Sequence, residues 1–465
     1  MITQAFISKS VRVKLHDLLR LSMHPPLRIA MFLGTFPVIS ETFILRQITG
    51  LIDLGHRVDI YADLPPPDGA PQQPEVERYN LLARTSFMKL PAECVPWELP
   101  LRPLRGQTWI PGEVRPLSNL RRVARALPVF LRCFTAQPRL AIQSLRRQEY
   151  GFQAESLSIL YRLKRLLDKP GDYDVLHAHF GPNGNSFRFA SKLWHAPLVV
   201  SFHGYDFCTL PRKQGPDMYQ KLFETAEFIT GNSEFTRRAL EKLGCPASKF
   251  QLLPVGLNLE EFPWRERGVK QGEPIRILTI GRLVEIKGHE YSIRALAALR
   301  QKHPDVHYDI VGDGPLRPRL SGLVAELELE QHVTLHGALA GNALKQLMDH
   351  AHLFVLASVS VEGDQEGQGL SLQEAQAVGL PVIATDHGGL PEGLLPDQSG
   401  FLVPERDVKA LSDRLSYLVE HPEIWPILGR NGRAFVAARY DIRQLNRQLV
   451  ELYARAVTKS KYQHG

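Results

Sequence analysis

Two carboxylates, Glu366 and Glu374, lie in a segment that reads E-G-Q-G-L-S-L-Q-E. The first belongs to a glycine-rich loop, and the second falls at the start of a predicted helix, which a buried strand follows. Unpaired N–H groups at a helix start bind anions, whereas ionised carboxylates accept hydrogen bonds from hydroxyl groups. A diphosphate joined to hydroxyl-bearing sugars combines both needs. The segment therefore indicates a nucleotide-sugar site.

The same segment has a second interpretation. Ser371 and Glu374 fit the pattern S-x-x-E, a capping box that stabilises a helix start and does nothing else. From this segment alone both interpretations stay open, and residues elsewhere in the chain favour the first.

Two cations and a histidine also follow predicted strands. Arg282 and Lys287 stand in G-R-L-V-E-I-K-G (281–288), a strand-to-helix turn that suits a diphosphate, although each could be an ordinary surface charge. His203 ends a predicted strand in H-G-Y-D and is either a cleft residue or a plain core or surface histidine.

Two further patterns are interpreted as structural. His177 and His179 alternate on a strand, but no third metal ligand stands near them. Asp172 and Asp174 match the D-x-D pattern of metal-dependent sugar transfer, yet they precede their strand and so fall on the side of the sheet away from the cleft. Neither pattern therefore indicates a metal site.

The elements that must position these residues alternate between strand and helix in both halves of the chain, which predicts an α/β fold with two doubly wound domains facing across a cleft. In such sheets ligands bind beyond the carboxyl ends of the strands, where the candidates stand. The expected divisions are an N-terminal extension (1–26), a first domain (27–256) with a basic helical insertion at about 85–165, a second domain (257–435), and a C-terminal helix (436–465) that packs back on the first.

Composition agrees with a two-domain globular protein. The chain has 465 residues, 44% of them hydrophobic and 23% charged. Its four cysteines are widely spaced, which favours free thiols in a reducing compartment. No apolar run approaches the roughly 18 residues that span a bilayer. Residues 1–27 lack the apolar core and cleavage site of a secretory signal.

Positive charge is concentrated between residues 101 and 150, a stretch that contains ten arginines and only two glutamates. Apolar residues recur there at helical spacing: Leu120, Val123, Leu127, Leu131 and Phe134. The pattern fits either an anionic membrane surface or a solvated basic helix over the core, and both stay open. Nucleic acid is not expected, because the block has few aromatics and no recognition motif.

Together these motifs resemble the retaining glycosyltransferases of family 4, which have the GT-B fold. The resemblance runs from residue 27 through motifs in family order: 281–288, V-G-D-G-P (311–315), L-H-G (335–337), E-G-Q-G-L-S-L-Q-E-A (366–375) and G-L-P-V-I-A-T-D-H-G-G-L-P-E (379–392). F-P-V-I-S-E-T-F-I (36–44) and E-G-D-Q-E-G (362–367) resemble the branch that builds bacterial exopolysaccharides of the colanic-acid and amylovoran type.

The resemblance implies a role for each matching donor-site residue. Arg282 and Lys287 would hold the donor diphosphate, and Glu374 would bind the ribose. Backbone groups at the helix start would assist, at Gly369, Leu370 and Ser371.

It also implies two catalytic residues. Glu366 would bind the donor sugar near its reacting carbon, and His203 would contact that sugar from the other domain. The nucleoside base would bind after Leu335.

The first strand-to-helix loop departs from the family, many of whose members have paired glycines there. It contains Ser40, Glu41 and Thr42, which we expect at the cleft facing either donor or acceptor.

The expected reaction is transfer from a nucleotide-diphosphate-sugar to a lipid-linked or oligosaccharide acceptor, with retention, without a metal or other cofactor, at the inner face of the cytoplasmic membrane. Arg282 and Lys287 would stabilise the departing diphosphate. Two alternatives remain: transfer to a small soluble acceptor, and a catalytically silent nucleotide-sugar-binding protein.

Overall fold

The computed structural model describes residues 25–67, 69–70, 72–91, 119–169 and 171–464. The predicted extension at 1–26 therefore lies almost wholly outside the described residues. The first part of the basic block, residues 101–118, also lies outside them. Among the described residues, no helix is both long enough and apolar enough to cross a membrane.

The first domain is built on a parallel sheet. Its strands are β1 (Arg28–Thr35), β2 (Arg57–Leu64), β3 (Thr85–Phe87), β4 (Val175–His179), β5 (Leu198–Phe202), β6 (Phe228–Gly231) and β7 (Phe250–Leu252). In the described part of the chain they lie in the order β3-β2-β1-β4-β5-β6-β7, all parallel. Most are buried along their length, as apolar strands covered by helices on both faces must be.

Helices connect these strands. They are α1 (Thr42–Asp53), α2 (Pro74–Arg78), α3 (Asn119–Ala136), α4 (Pro138–Ser144), α5 (Arg147–Tyr150), α6 (Phe152–Glu155), α7 (Ser158–Asp168), α8 (Gly181–Phe187), α9 (Phe189–Trp194), α10 (Tyr205–Cys208), α11 (Leu210–Gln214), α12 (Gln220–Thr225) and α13 (Glu234–Lys242).

The second domain repeats the plan. Its strands are β8 (Ile275–Ile280), β9 (Val306–Val311), β10 (Val333–Gly337), β11 (Leu353–Leu356), β12 (Val382–Thr385) and β13 (Gly400–Val403), in the parallel order β10-β9-β8-β11-β12-β13. Its helices are α14 (His289–Arg300), α15 (Arg317–Glu326), α16 (Gly341–His350), α17 (Leu370–Ala377), α18 (Val408–Glu420) and α19 (Trp425–Arg439).

The chain crosses between the domains at two adjacent points that hydrogen-bond to each other. The N–H of Leu257 donates to the carbonyl of Tyr440 (2.7 Å), and the N–H of Ile442 donates to the carbonyl of Leu257 (2.9 Å). The last helix, α20 (Ile442–His464), then packs against α1, β4 and β5. The chain thus returns to the first domain a few residues after the expected position, 436.

The helical insertion, α3 to α7, is attached to the first sheet by a buried ion pair. Arg162 of α7 donates from Nε and Nη2 to the two carboxylate oxygens of Asp63, at 2.9 and 2.7 Å, and both side chains are almost fully buried. Asp63 lies near the end of β2, so this pair fixes α7 to the edge of the sheet that faces the cleft.

The predicted α/β class with two doubly wound domains is confirmed. The short strand β3 was not predicted, because three residues carry too little periodicity to detect.

Candidate active site

A tight loop brings Lys287 to the end of the second sheet. The loop follows β8, and Gly288 lies in the left-handed region (φ 61°). A Cβ at this glycine would stand 1.8 Å from the carbonyl oxygen of Ala357, so only glycine lets the loop lie against the end of β11. The N–H of Val359 donates to Ile286 (2.9 Å) and fixes the contact.

Lys287 and Glu366 form a direct ion pair. Lys287 Nζ lies 2.6 Å from Glu366 Oε1, with side chains 15% and 14% exposed. Burial works to raise the pKa of Glu366, but the charge of Lys287 and its hydrogen bond outweigh it and hold that pKa below its ordinary value. Glu366 is therefore an ionised carboxylate at neutral pH, placed beside a cation.

The backbone at Glu366 is fixed by a chain of buried groups. Its N–H donates to Nε2 of His387 (3.0 Å), whose Nδ1 lies 2.8 Å from the carboxylate of Glu405. Since Nε2 accepts, the Nδ1 of a neutral His387 carries the proton and donates to Glu405. The carbonyl of Glu366 accepts from the N–H of Gly389 (2.9 Å).

The start of α17 corrects the capping-box interpretation. The N-cap residue is Gly369, in the left-handed region, and no side chain caps the helix. Ser371 already lies inside the first turn, so it cannot act as the cap, and the interpretation of Ser371 and Glu374 as a capping box is wrong. The first-turn N–H groups of Leu370 and Ser371 have no partner within the helix, as at every helix start.

Glu374 lies on α17 where the two domains meet. Burial raises its pKa to about 7, with a lowering contribution from Arg46 and a raising one from Glu261. Arg46 comes from α1 of the first domain and pairs with Glu261 at 2.7 Å. Its other terminal nitrogen, Nη1, is buried and has no hydrogen-bond partner in the described part of the chain. No sequence motif pointed to Arg46.

His203 follows β5 and is held on several sides. Its Nε2 lies 3.0 Å from Nδ1 of His179, and the rings of Phe43 and Phe180 each stand 4.7 Å from its own. Its main-chain N–H donates to Asp206 (3.0 Å). Burial lowers its pKa to about 3, so the imidazole is neutral at pH 7.

The other predicted residues are Arg282 and the three residues Ser40, Glu41 and Thr42 at the start of α1. Arg282 is exposed, and its carbonyl oxygen lies 2.9 Å from Nε2 of the buried His289. Ser40 and Glu41 immediately precede α1, and Thr42 begins it. The next residue, Phe43, is the one that contacts His203.

The residues of the D-x-D and His-Ala-His patterns, which were interpreted as structural, make the following contacts. Asp174 accepts from the N–H of Arg28 (2.7 Å), and Asp172 pairs with the guanidinium of Arg28 (2.9 Å), before β4 begins. His177 lies within hydrogen-bond distance of Tyr453 and Ser201. Among the described residues, no group of three or more His, Cys, Asp or Glu could hold a metal ion.

The two domains contact each other directly around Glu366. Ser233 Oγ donates to the carbonyl of Gly367 (2.7 Å). Glu392 of the second domain accepts from the N–H groups of Glu234 and Phe235, at 2.7 and 2.8 Å, at the start of α13 in the first. The glycine-rich loop is thereby held against the first domain.

The arrangement places a cation, two carboxylates and a neutral histidine around the boundary of two domains. Lys287 and a helix start can bind a diphosphate. The carboxylates can accept hydrogen bonds from sugar hydroxyls. These are the components of a site for a nucleotide-linked sugar.

Comparison with known proteins points the same way. Residues 260–435 match the family described as "Glycosyl transferases group 1", and residues 40–256 match "Glycosyl transferase 4-like domain".

Two relatives align over nearly their whole lengths. The amylovoran biosynthesis glycosyltransferase AmsK of Erwinia amylovora is 32% identical, covering 92% of this chain and 100% of its own. A protein of Escherichia coli K12 assigned by name to colanic acid biosynthesis, glycosyltransferase WcaL, is also 32% identical, covering 92% and 99%.

Solved structures share the fold. Alr3699/HepE of Anabaena, crystallised with UDP, superposes with a TM-score of 0.65 at 17% identity, over 92% of this chain and 100% of its own. The sucrose-phosphate synthase of Thermosynechococcus elongatus gives 0.63 at 21% identity, over 93% and 100%.

Proposed function

Because this chain belongs to the group 1 glycosyltransferases, we propose that it moves a sugar from a nucleotide-diphosphate-sugar to a lipid-linked or oligosaccharide acceptor in bacterial exopolysaccharide synthesis. The observation that carries the proposal is the pairing of Lys287 with Glu366 beside the start of α17. The relatives named for amylovoran and colanic acid synthesis support the pathway.

The donor would lie across the end of the second sheet. Its diphosphate would bind Lys287, Arg282 and the first N–H groups of α17. Glu374, one turn along the helix, would accept hydrogen bonds from the ribose. Glu366 and His203 would then flank the sugar, one from each domain.

In the proposed reaction the bond between the anomeric carbon and the diphosphate oxygen breaks, and that carbon bonds to an acceptor hydroxyl oxygen on the same face. The electron pair leaves with the diphosphate, where Lys287 and Arg282 stabilise the developing charge. The hydroxyl proton passes to the departing phosphate. The nucleoside diphosphate is released, and the configuration is retained.

We also propose that no metal takes part, because Lys287 and Arg282 would supply the positive charge that a metal ion otherwise supplies to a diphosphate. Transfer rates measured with and without a chelator test this. Loss of transfer on chelation, restored by Mg²⁺ or Mn²⁺, would show that a metal is needed.

Donor binding is tested by thermal shift with uridine and guanosine diphosphate sugars. A ligand at 100 times its Kd adds about 2.7 kcal/mol to the free energy of unfolding. We expect one donor to raise the melting temperature and Lys287→Ala to remove that rise. Lys409→Ala, on an exposed helix surface of the same domain, is the control and should keep it. No shift with any sugar nucleotide would contradict the donor site.

A turnover assay distinguishes transfer to a lipid-linked acceptor from the two alternative functions. Release of nucleoside diphosphate that depends on a lipid-linked acceptor supports the proposal, and release that depends on a sugar phosphate supports the small-acceptor alternative. Tight binding without release under both conditions is the result expected of a silent binding protein.

We further propose that α3 attaches the protein to the inner face of the cytoplasmic membrane. The helix packs on α7, with Cys133 in the core and Val129 and Phe130 packed against it. The five apolar residues singled out from the sequence lie mainly outside this contact. Those residues form an exposed stripe, with Leu120 80% exposed and the others 39–54%: Val123, Leu127, Leu131 and Phe134.

The charge around this stripe supports a lipid surface as its occupant. Arginines flank it along α3 and continue into the following helices: Arg121, Arg122, Arg125, Arg132, Arg139, Arg146 and Arg147. An apolar stripe bordered by arginines fits an anionic lipid surface, whereas a solvated helix over the core would turn its leucines inward.

Flotation with anionic liposomes tests the attachment. We expect binding that weakens in high salt, and loss of binding in Leu127→Ser/Leu131→Ser. Ile427→Ser is the matched control, since Ile427 is also 53% exposed but lies on α19. If wild type fails to float at any salt, or if the control loses binding equally, α3 is not a membrane anchor.

A further inference from the structure

Three histidines form a row at the carboxyl end of the first sheet, in which His177 and His179 are buried and His203 is partly exposed. His177 and His179 lie on β4 with ring centroids 4.5 Å apart, and His203 follows β5 with its ring 5.3 Å from that of His179. Their contacts differ. His177 lies against Tyr453 and Ser201, whereas His179 Nδ1 lies 3.0 Å from His203 Nε2.

The contact between His179 and His203 joins two neutral rings. Burial lowers the pKa of His203 to about 3 and that of His179 well below its ordinary value. A neutral imidazole has one donor nitrogen and one acceptor nitrogen. The proton between the rings therefore sits on one of the two facing nitrogens. The ring that accepts it carries its own proton on its outer nitrogen, so this choice fixes the tautomer of both rings.

Among the residues that the structure describes, the outer nitrogens of the pair have no partner. His179 Nε2 and His203 Nδ1 are both buried without a hydrogen bond, and so is Gln47 Oε1. All three side chains line one cavity between α1, the strand ends and α20. Its free volume of about 20 Å³ is enough for one water molecule, which could bond these atoms.

We propose that His179 is a positioning residue for His203, holding its ring in one orientation and one tautomer. The proposal rests on the proposed function, in which His203 contacts the donor sugar. With His179 in place, the free nitrogen of His203 is consistently a donor or consistently an acceptor. Without it, the ring is confined by the packing of Phe43 and Phe180 alone and can turn over.

A pair of amide substitutions tests the contact. The amide of asparagine occupies the place of histidine Nδ1 and, by rotation, can donate or accept, whereas the amide of glutamine occupies the place of Nε2. We expect His179→Asn to keep near-normal kcat and His179→Gln to lose roughly 10- to 100-fold, as a small misplacement of a reacting group does. Donor Kd should change little in either.

His177→Asn is the control, because His177 shares the row but does not bond to His203. An equal loss of kcat in the His177 and His179 variants would assign the row a packing role only. Equal rates in His179→Asn and His179→Gln would likewise overturn the proposal, provided that melting temperatures show both variants to be folded.

A second measurement does not depend on activity. In ¹⁵N-histidine-labelled protein, the nitrogen shifts of His203 should report one tautomer in wild type and a mixture in His179→Gln. A mixture in wild type, or no change in His179→Gln, would refute the positioning role. If wild type binds no sugar nucleotide, the proposed function fails, and these spectra still decide the relation between the two rings.

Discussion

Lys287 Nζ lies 2.6 Å from Glu366 Oε1, so the cation proposed for the donor diphosphate is already paired with the carboxylate proposed for the donor sugar. Both side chains are largely buried, which makes the attraction stronger than at the surface. An arriving diphosphate must therefore compete with Glu366 for Lys287. In competing, it would free the carboxylate to accept hydrogen bonds from the sugar.

The first prediction follows from that competition. Glu366→Gln keeps the size of the side chain but removes the rival negative charge. We expect it to bind nucleoside diphosphate more tightly, by up to about tenfold, or 1.4 kcal/mol. Transfer should fall by roughly 100-fold or more, since the carboxylate is lost at the reacting carbon. Calorimetric titration and a transfer assay measure the two effects.

Lys287→Met is the opposite control and should weaken nucleoside diphosphate binding. If Glu366→Gln weakens binding as well, the carboxylate helps to hold the diphosphate site together and does not compete with it.

The second prediction concerns Glu374 and pH. Its pKa is raised by burial to about 7 from an ordinary value of about 4.3. Between these values the native state holds a proton that the unfolded chain has released, so the free energy of unfolding falls as pH rises through this window. Glu374→Gln should therefore stabilise the ligand-free protein at pH 8 and have little effect near pH 4.

Thermal unfolding of both proteins across pH 4–8 measures the difference. Glu374→Gln should also weaken sugar nucleotide binding at pH 8, where the wild-type carboxylate is ionised and accepts from the ribose. A variant less stable than wild type at pH 8 would mean that Glu374 supports the fold through contacts that its ionised form makes.

Much of this architecture was predictable because it depends on local patterns. Buried strands show as apolar runs, and ligand residues in doubly wound sheets follow the strands. Lys287, Glu366 and Glu374 could be found in this way, each beside a glycine or a helix start. The sequence also indicated that α3 is amphipathic, but not which of its faces the core would leave exposed.

The features that the sequence did not indicate arise where segments that are distant in the chain come into contact in the fold. Arg46 stands on an ordinary helix and gains its place beside Glu374 only when the domains meet. His179 was set aside as half of a metal pair, since its actual partner, His203, is 24 residues away. The capping-box pattern misled because the N-cap of α17 is the left-handed Gly369, two residues before Ser371.

The third prediction tests how the insertion is held. Arg162 and Asp63 form a fully buried pair, so removing one partner leaves an uncompensated charge. Asp63→Asn should destabilise the protein by about 3–5 kcal/mol, whereas Asp413→Asn, in an exposed pair with Lys409, should change stability by less than about 1 kcal/mol. Urea unfolding measures both. The double variant Arg162→Met/Asp63→Leu should recover most of the loss; if it does not, hydrogen bonding by Arg162 to Ser158 and Gln153 matters more than charge.

The last prediction concerns domain closure. Glu392 accepts two N–H groups at the start of α13 across the domain boundary, which is how a carboxylate caps a helix. Losing a cap costs about 1 kcal/mol, with a range of roughly 0.5–2. Because this cap joins two domains, we expect Glu392→Ala to favour an open arrangement and to lower transfer. Small-angle scattering should then give a larger radius of gyration.

Asp407→Ala is the matched control. Asp407 caps α18 by accepting from the N–H of Ala410 (2.8 Å), but helix and cap lie in the same domain. Its loss should reduce stability by a similar amount and leave the radius of gyration unchanged. If both variants scatter like wild type while only Glu392→Ala loses transfer, Glu392 acts on the site through the loop around Gly389 and His387, and closure does not depend on it.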